Sequence, residues 1–435
     1  MNEFQYSIAN NLDDAWLNFE PDIPLEPQDV GRDNPFYVLR PDEKKAAALK
    51  RALLRPFHQP QKFFFSGHRG CGKSTEMYRL AADPDILAKF WPVHFSIREH
   101  ADINDVDFKD ILFIIGEQLF TQYQDSSERS GRKLDNDLLK ELQAWQGTLT
   151  RDITTIEKGR MSGELGAEIG SLFAKMSSAI KLEPKIREEL RQVLKVNVTG
   201  LIEVINKIST AIYAREKRYP LVLIDDLDKP DLEAARQIFI ERQEIMLRPT
   251  CTIVYTISSP LFYHPDIRKL RNTYFLPNIK LHEAGDATTR SAVGYHTCET
   301  MVYRRMSKDA NLISDEALEL AVTMSGGVFR ELAQIIRGSI NSADEPPIQL
   351  EHVREAVEEI RRLYWRTLTA EQRQILRQIR ADNQLRDPDE MDTLLQMLAV
   401  LEYTNGKIWC DIHPALHDLL DDEATQRADG LAISD

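Results

Sequence analysis

Eight consecutive residues, Gly67-His68-Arg69-Gly70-Cys71-Gly72-Lys73-Ser74, follow the pattern G-x-x-x-x-G-K-[ST]. Glycines at these places let the backbone curl until successive N–H groups converge on phosphate oxygens. Lys73 adds a charge that reaches the β- and γ-phosphates of a nucleotide, and the Ser74 hydroxyl can ligate Mg²⁺. Thr75 extends the phosphate-binding stretch into a helix expected to begin at Lys73, whose positive dipole end favours an anion. A second group is Leu221-Val222-Leu223-Ile224-Asp225-Asp226-Leu227-Asp228, an apolar strand that ends in acids. A carboxylate there can hold the Mg²⁺ shell, the role expected of Asp225. Asp226 follows where a water-activating carboxylate would sit.

These residues need a scaffold, and the flanking sequence predicts one. Lys62-Phe63-Phe64-Phe65-Ser66 is a short apolar run ending at glycine, the mark of a buried parallel strand. With the helix from about Lys73 to Ala82 and a strand at Val93–Ile97 it forms a βαβ unit. Residues 101–219 read almost wholly as helices, with Gly159–Gly170 as a glycine-rich turn. Strands return at Leu221–Asp225, Thr252–Ile257 and Thr273–Pro277, and 286–368 is helical again. Residues 1–35, with four prolines and few regularly spaced apolar residues, read as an extended arm.

Composition bounds the class. The chain has 435 residues, 42% hydrophobic and 29% charged, as globular proteins do. No apolar run spans a bilayer and no signal peptide is seen, so a cytoplasmic protein with no membrane association is expected. Four cysteines (Cys71, Cys251, Cys298, Cys410), none in a CxxC pair, argue against a disulfide framework or a zinc site. The net charge of −14 sits at the ends: residues 1–30 carry seven acids and no base, and 418–435 carry six acids and one base. That balance gives non-specific polyanion binding no support.

Together the motifs resemble the AAA+ P-loop ATPases, and within them the STAND class of signal-transducing switch ATPases and the Orc/Cdc6-like initiators. Ser258 and Ser259 follow the strand Thr252–Ile257, where such proteins carry a polar sensor residue; Ser258 is taken as the nucleotide contact. Ser325-Gly326-Gly327-Val328-Phe329-Arg330-Glu331-Leu332 resembles the opening of the sensor-2 helix, so Arg330 would touch the γ-phosphate. The resemblance implies ATP or ADP with Mg²⁺, held by residues Gly67 to Thr75 and Asp225, with Ser74 and Asp225 on the metal. Asp226 and Arg330 are the expected catalytic residues. Asp-Asp in place of Asp-Glu predicts slow turnover. The STAND arginine after the sensor-1 strand is absent, since Ile257-Ser258-Ser259-Pro260 stands there. Arg268, Arg271 and Arg290 are candidates for an arginine finger. No Asn-Lys-x-Asp guanine motif occurs, which leaves adenine as the default.

The C-terminal stretch predicts two helices (369–379 and 389–400) and two strands flanking Asn405-Gly406, a hairpin turn signal. This order resembles a winged helix. Its recognition helix, about 390–400, has two acids and no base, so it lacks the donors a major-groove reader needs, and DNA binding by this winged helix is not expected. Asp411-Ile412-His413-Pro414-Ala415-Leu416-His417-Asp418 resembles the STAND segment whose histidine holds ADP in the closed state. His413 matches by position and His417 by neighbouring letters; His413 is the preferred contact.

The expected architecture is therefore α/β: a P-loop parallel sheet with a helical insertion (about 101–219), an all-helical lid and a C-terminal winged helix. The expected segments are an acidic arm 1–35, a P-loop ATPase domain 36–285, the lid 286–368, the winged helix 369–425 and an acidic tail 426–435. The expected function is an ATP-binding switch with slow hydrolysis, regulatory or of a defence (antiviral) type. On ADP/ATP exchange it would assemble as a homo-oligomer or release a separate effector or sensor protein. The alternatives are a DNA-linked AAA+ ATPase (initiator, loader or transposition regulator) and a non-hydrolysing Orc-like scaffold.

Overall fold

A computed structural model describes residues 6–41, 47–152, 165–404 and 408–421. The strands are β1 (Lys62–Gly67), β2 (Phe90–Ser96), β3 (Tyr219–Asp225), β4 (Thr252–Thr256), β5 (Thr273–Leu276), β6 (His282–Glu283), β7 (Asp286–Arg290), β8 (Val400–Thr404) and β9 (Ile408–Ile412). The helices include α1 (Leu12–Asn18), α2 (Lys73–Ala82), α3 (Phe108–Ser130), α4 (Asn136–Asp152), α5 (Leu165–Leu182) and α6 (Pro184–Glu216). They continue with α7 (Asp315–Met324), α8 (Phe329–Ser342), α9 (Leu350–Thr367), α10 (Ala370–Asp382) and α11 (Pro388–Gln396). The fold is α/β, with a five-stranded sheet, a helical insertion and a helix-rich C-terminal region. Among the described residues no helix is long and apolar enough to cross a membrane.

The chain divides into two compact units. One comprises Leu49–Ser66 and Met77–Tyr274. Its sheet runs in the order β2-β3-β4-β1-β5, and β2, β3, β4 and β1 pair in parallel. Both faces are covered, which is why β1, β3 and β4 are almost unbroken apolar runs rather than alternating ones. Because the strands are parallel, the C-terminal ends of β1, β4 and β3 share one edge, where α/β sheets place ligands. Helices α3, α4, α5 and α6 form the insertion and share a core with the sheet, through Phe113, Phe120, Phe173 and Ile205. Arg191 of α6 donates to Asp110 of α3 and to Asp105, a paired charge cluster that fixes how these two helices meet.

The other unit is assembled from Met1–Ala48, Gly67–Glu76 and Phe275–Asp435. Its core joins Ala15 and Phe19 of the N-terminal segment to Val322, Leu332 and Ile336 of α7 and α8. Helices α10 and α11 are followed by the β8–β9 pair and a short helical stretch, 416–421.

Three expectations change. The N-terminal arm holds a helix, α1, because Asn11 caps it by accepting from Asp14 N–H at 2.8 Å and Ala15 anchors it in the core. Residues 165–170, read as part of a glycine-rich turn, open α5, where Ile169 is buried and Gly170 packs on Phe120. Residues 286–290, read as helix, form β7 paired with β6. The Asn405-Gly406 turn and the acidic tail lie outside the described residues.

Candidate nucleotide site

The acid pair belongs to the sheet unit. Asp225 ends β3 and is 5% exposed. Asp226 turns the chain with φ +63°, a left-handed conformation that aspartate tolerates better than most side chains, and its N–H donates to Asp225 Oδ1 at 2.8 Å. Two residues outside the sequence motif hold this corner. Ser96, in register with Asp225 across β2 and β3, donates its hydroxyl to Asp226 Oδ2 at 2.6 Å. Thr256 at the end of β4 accepts from Leu227 N–H at 3.0 Å and donates to Ile224 O at 3.2 Å. Neither carries a motif letter; only strand order brings them here. Lys229 approaches Asp226 Oδ1 at 3.8 Å. His94, one residue pair up β2, stacks edge-on with Tyr78 at 4.3 Å; burial pushes its pKa down to about 4, opposed by the Asp226 charge.

One carboxylate oxygen from each of Asp225, Asp226 and Asp228 lies within 4.8 Å of the others. Hard oxygen donors at this spacing suit Mg²⁺, so the donor chemistry fits the expected metal. Ser258, 3% exposed at the end of β4, accepts from Leu261 N–H at 3.4 Å and so caps the next helix. Arg268 and Arg271 are exposed, and Arg290 pairs with Glu319.

The phosphate loop belongs to the other unit. Gly67 closes β1, and α2 starts at Lys73 as the sequence predicts. Lys73 Nζ is buried, donating to Gly67 O at 2.8 Å and His68 O at 2.9 Å, so the ammonium lies folded across its own loop. Gly70 has φ +73°, and a Cβ there would fall 2.3 Å from Arg330 Cβ. Only glycine allows that approach. Arg330 N–H also points at Gly70 O at 3.4 Å, so the first turn of α8 sits directly on the loop. Arg69 is exposed, Cys71 is buried, and Ser74 and Thr75 are half-buried. Thr75 Oγ1 accepts from Leu25 N–H at 3.1 Å.

His68 is the residue whose role sequence reasoning undervalued. Its ring is fully buried, and Nε2 accepts the backbone N–H of Glu402 in β8 at 2.8 Å. Cys410, opposite Glu402 in the hairpin, sends its own N–H to Asn383 O at 3.1 Å, so this pair directs its donors outward from the ladder. Burial, aided by the Lys73 charge, pushes the His68 pKa down to about 3, and the ring is neutral. Tyr403 OH donates to Gly326 O at 2.6 Å, tying the same strand to the glycine turn before α8. Arg40, also unmarked in sequence, donates to Pro277 O at 2.8 Å, with its other amino nitrogen beside Gly72.

His413 is fully buried. Its Nδ1 accepts from Ala415 N–H at 3.2 Å, Nε2 lies 3.5 Å from Glu331 Oε2, and the ring packs on Tyr364 at 5.4 Å. The hairpin-to-loop link in this structure therefore runs through His68. His417 lies near Asp411, and its burial lowers its pKa.

No protein-family model matches the chain, and no curated protein matches it. Among solved structures, Cdc6p from Pyrobaculum aerophilum is similar over 94% of this chain and 98% of its own, at 10% identity and a TM-score of 0.39. The RuvB Holliday junction branch migration motor from Thermotoga maritima is similar over 89% of this chain and 99% of its own, at 13% identity and a TM-score of 0.34. Likeness of this degree transfers neither protein's activity to this chain.

Proposed function

We propose that this chain is an ATP-binding switch that hydrolyses ATP slowly. The observation that carries the reading is the seat of Arg330 on Gly70: the first turn of α8 rests on the phosphate loop, with the arginine at the place expected to meet a γ-phosphate. In this reading the backbone N–H groups of residues 67–74 and the Lys73 ammonium bind the phosphates, Lys73 exchanging its two carbonyl partners for phosphate oxygens. Asp225 would hold Mg²⁺, which when bound offsets phosphate charge. Asp226, fixed by Ser96 and its own corner geometry, orients the attacking water and accepts its proton. Its shorter side chain and its engagement by Ser96 favour slow turnover. His68 and Tyr403 carry the state of the loop to the β8–β9 hairpin, whose altered position would engage a separate effector, a sensor, or a second copy of the chain. The test is calorimetric titration with MgATP and MgADP followed by single-turnover hydrolysis. Binding of neither nucleotide removes the reading; tight binding without any hydrolysis moves it to a scaffold.

A further inference from the structure

The acidic N-terminal segment lies along α8 up to the phosphate loop. Trp16 stacks under the Arg337 guanidinium at 3.6 Å, and Glu20 pairs with Arg337. Asn18 donates to Arg305 O at 2.8 Å. Farther on, Leu25 N–H donates to Thr75 Oγ1 at 3.1 Å and Asn34 donates to Glu26 O at 2.9 Å. The stretch between these anchors delivers Asp22 to Arg330: Oδ1 lies 3.2 Å from the guanidinium, and Arg330 Nε–H points at Pro21 O at 3.4 Å. Arg330 and Arg337 are seven residues apart on one helix face, so Glu20 and Asp22 meet the two arginines in matched register.

We infer that Asp22 sets the nucleotide preference of the site by occupying Arg330 in place of a γ-phosphate. The inference rests on the proposed role of Arg330. ADP presents nothing to that guanidinium and leaves the Asp22 pair intact, whereas ATP must displace it. The Asp22 side chain is 78% exposed and that of Arg330 23%, so the pair is weak and water can replace the carboxylate at once. A γ-phosphate offers Arg330 more charge and three terminal oxygens against the carboxylate's two, so it wins when present, at an affinity reduced by the competition. The segment thereby tilts the site towards ADP without blocking the loop.

The experiment measures affinities of the full chain for a non-hydrolysable ATP analogue and for ADP, both with Mg²⁺. Asp22→Asn should raise the analogue-to-ADP affinity ratio about two- to fivefold, the range an exposed ion pair supports. Asp13→Asn removes the same charge from the same segment away from Arg330 and should leave the ratio unchanged. Arg330→Ala should lower the ratio, and Asp22→Asn added to it should do nothing further. If Asp22→Asn is silent while Arg330→Ala lowers the ratio, the inference fails and the site reading stands. A ratio untouched by Arg330→Ala removes the γ-phosphate role and the inference with it. Equal effects of Asp13→Asn and Asp22→Asn would mean general charge repulsion and overturn the inference.

Discussion

Replacing His68 by leucine and by glutamine separates its hydrogen bond from its bulk. Leucine fills a similar volume but offers nothing to Glu402 N–H, a donor 1% exposed that then has lost its acceptor. An unsatisfied buried donor costs about 1–3 kcal/mol. For a unit of this size that is a fall of roughly 2–4 °C per kcal/mol, so about 4–8 °C near the middle of the range. Glutamine places an amide oxygen near the site of Nε2, keeps an acceptor for the Glu402 N–H and should lose less. A second axis is pH. The folded His68 pKa, about 3, lies below its ordinary 6.5, so between those values the unfolded chain binds a proton that the folded one refuses. Stability from this group is therefore complete above pH 6.5 and drains away as pH falls towards 3. By pH 5 the loss amounts to about 2 kcal/mol, at roughly 1.4 kcal/mol per unit. Scanning calorimetry of parent, His68→Leu and His68→Gln at pH 7.5 and pH 5 reads both quantities, and His94 cancels because all three share it. Equal losses for leucine and glutamine, or a glutamine variant with the parent's pH dependence, would refute the bond and the neutral ring.

Lys73→Ala should abolish MgATP binding, because the loop loses the one ammonium laid across it; titration calorimetry that finds parent affinity would remove the phosphate site. Asp226→Asn should keep nucleotide affinity and the left-handed corner, which asparagine also adopts, while single-turnover hydrolysis falls at least tenfold. Gly327→Ala should destabilise its unit by about 3 kcal/mol or more, since φ is +73° and the added Cβ would lie 1.8 Å from Ile279 O; an unshifted melting curve would contradict the backbone geometry.

Strand ends and the loop were readable because each depends on local letters. The glycines and Lys73 mark a turn into a helix, and buried parallel strands appear as apolar runs, so β1, β3 and β4 fall within two residues of where the sequence predicts them. Elements held by remote partners were not. The helix α1 hides in a proline-rich arm whose local cues are Asn11 and the first-turn acids Asp13 and Asp14, and β7 exists because β6 lies beside it. The same divide runs through the candidate functional residues. Asp225, Asp226 and Arg330 carry motif spacing, whereas Ser96 and Thr256 act by strand register and Asp22 by a contact 308 positions away from Arg330 in the chain. His68 stood inside the motif, but its letter gave no hint of a bond to Glu402, 334 residues on.

The division of one unit among three separate stretches of chain sets an order of events during synthesis. Asn18 must wait 287 residues for its acceptor on Arg305, which at about 5–20 residues per second is roughly 15–60 s. Before that interval ends the sheet unit has all its residues, since its last segment ends at Tyr274, while Ala15 and Phe19 still lack the α7 and α8 residues they bury against. The loop at Gly67–Glu76 is made early but gains Arg330 and Glu402 as neighbours only after the sheet unit has been synthesised. A nascent chain halted after Tyr274 would therefore carry a complete phosphate motif and an unclosed N-terminal segment, open to chaperones and proteases alike.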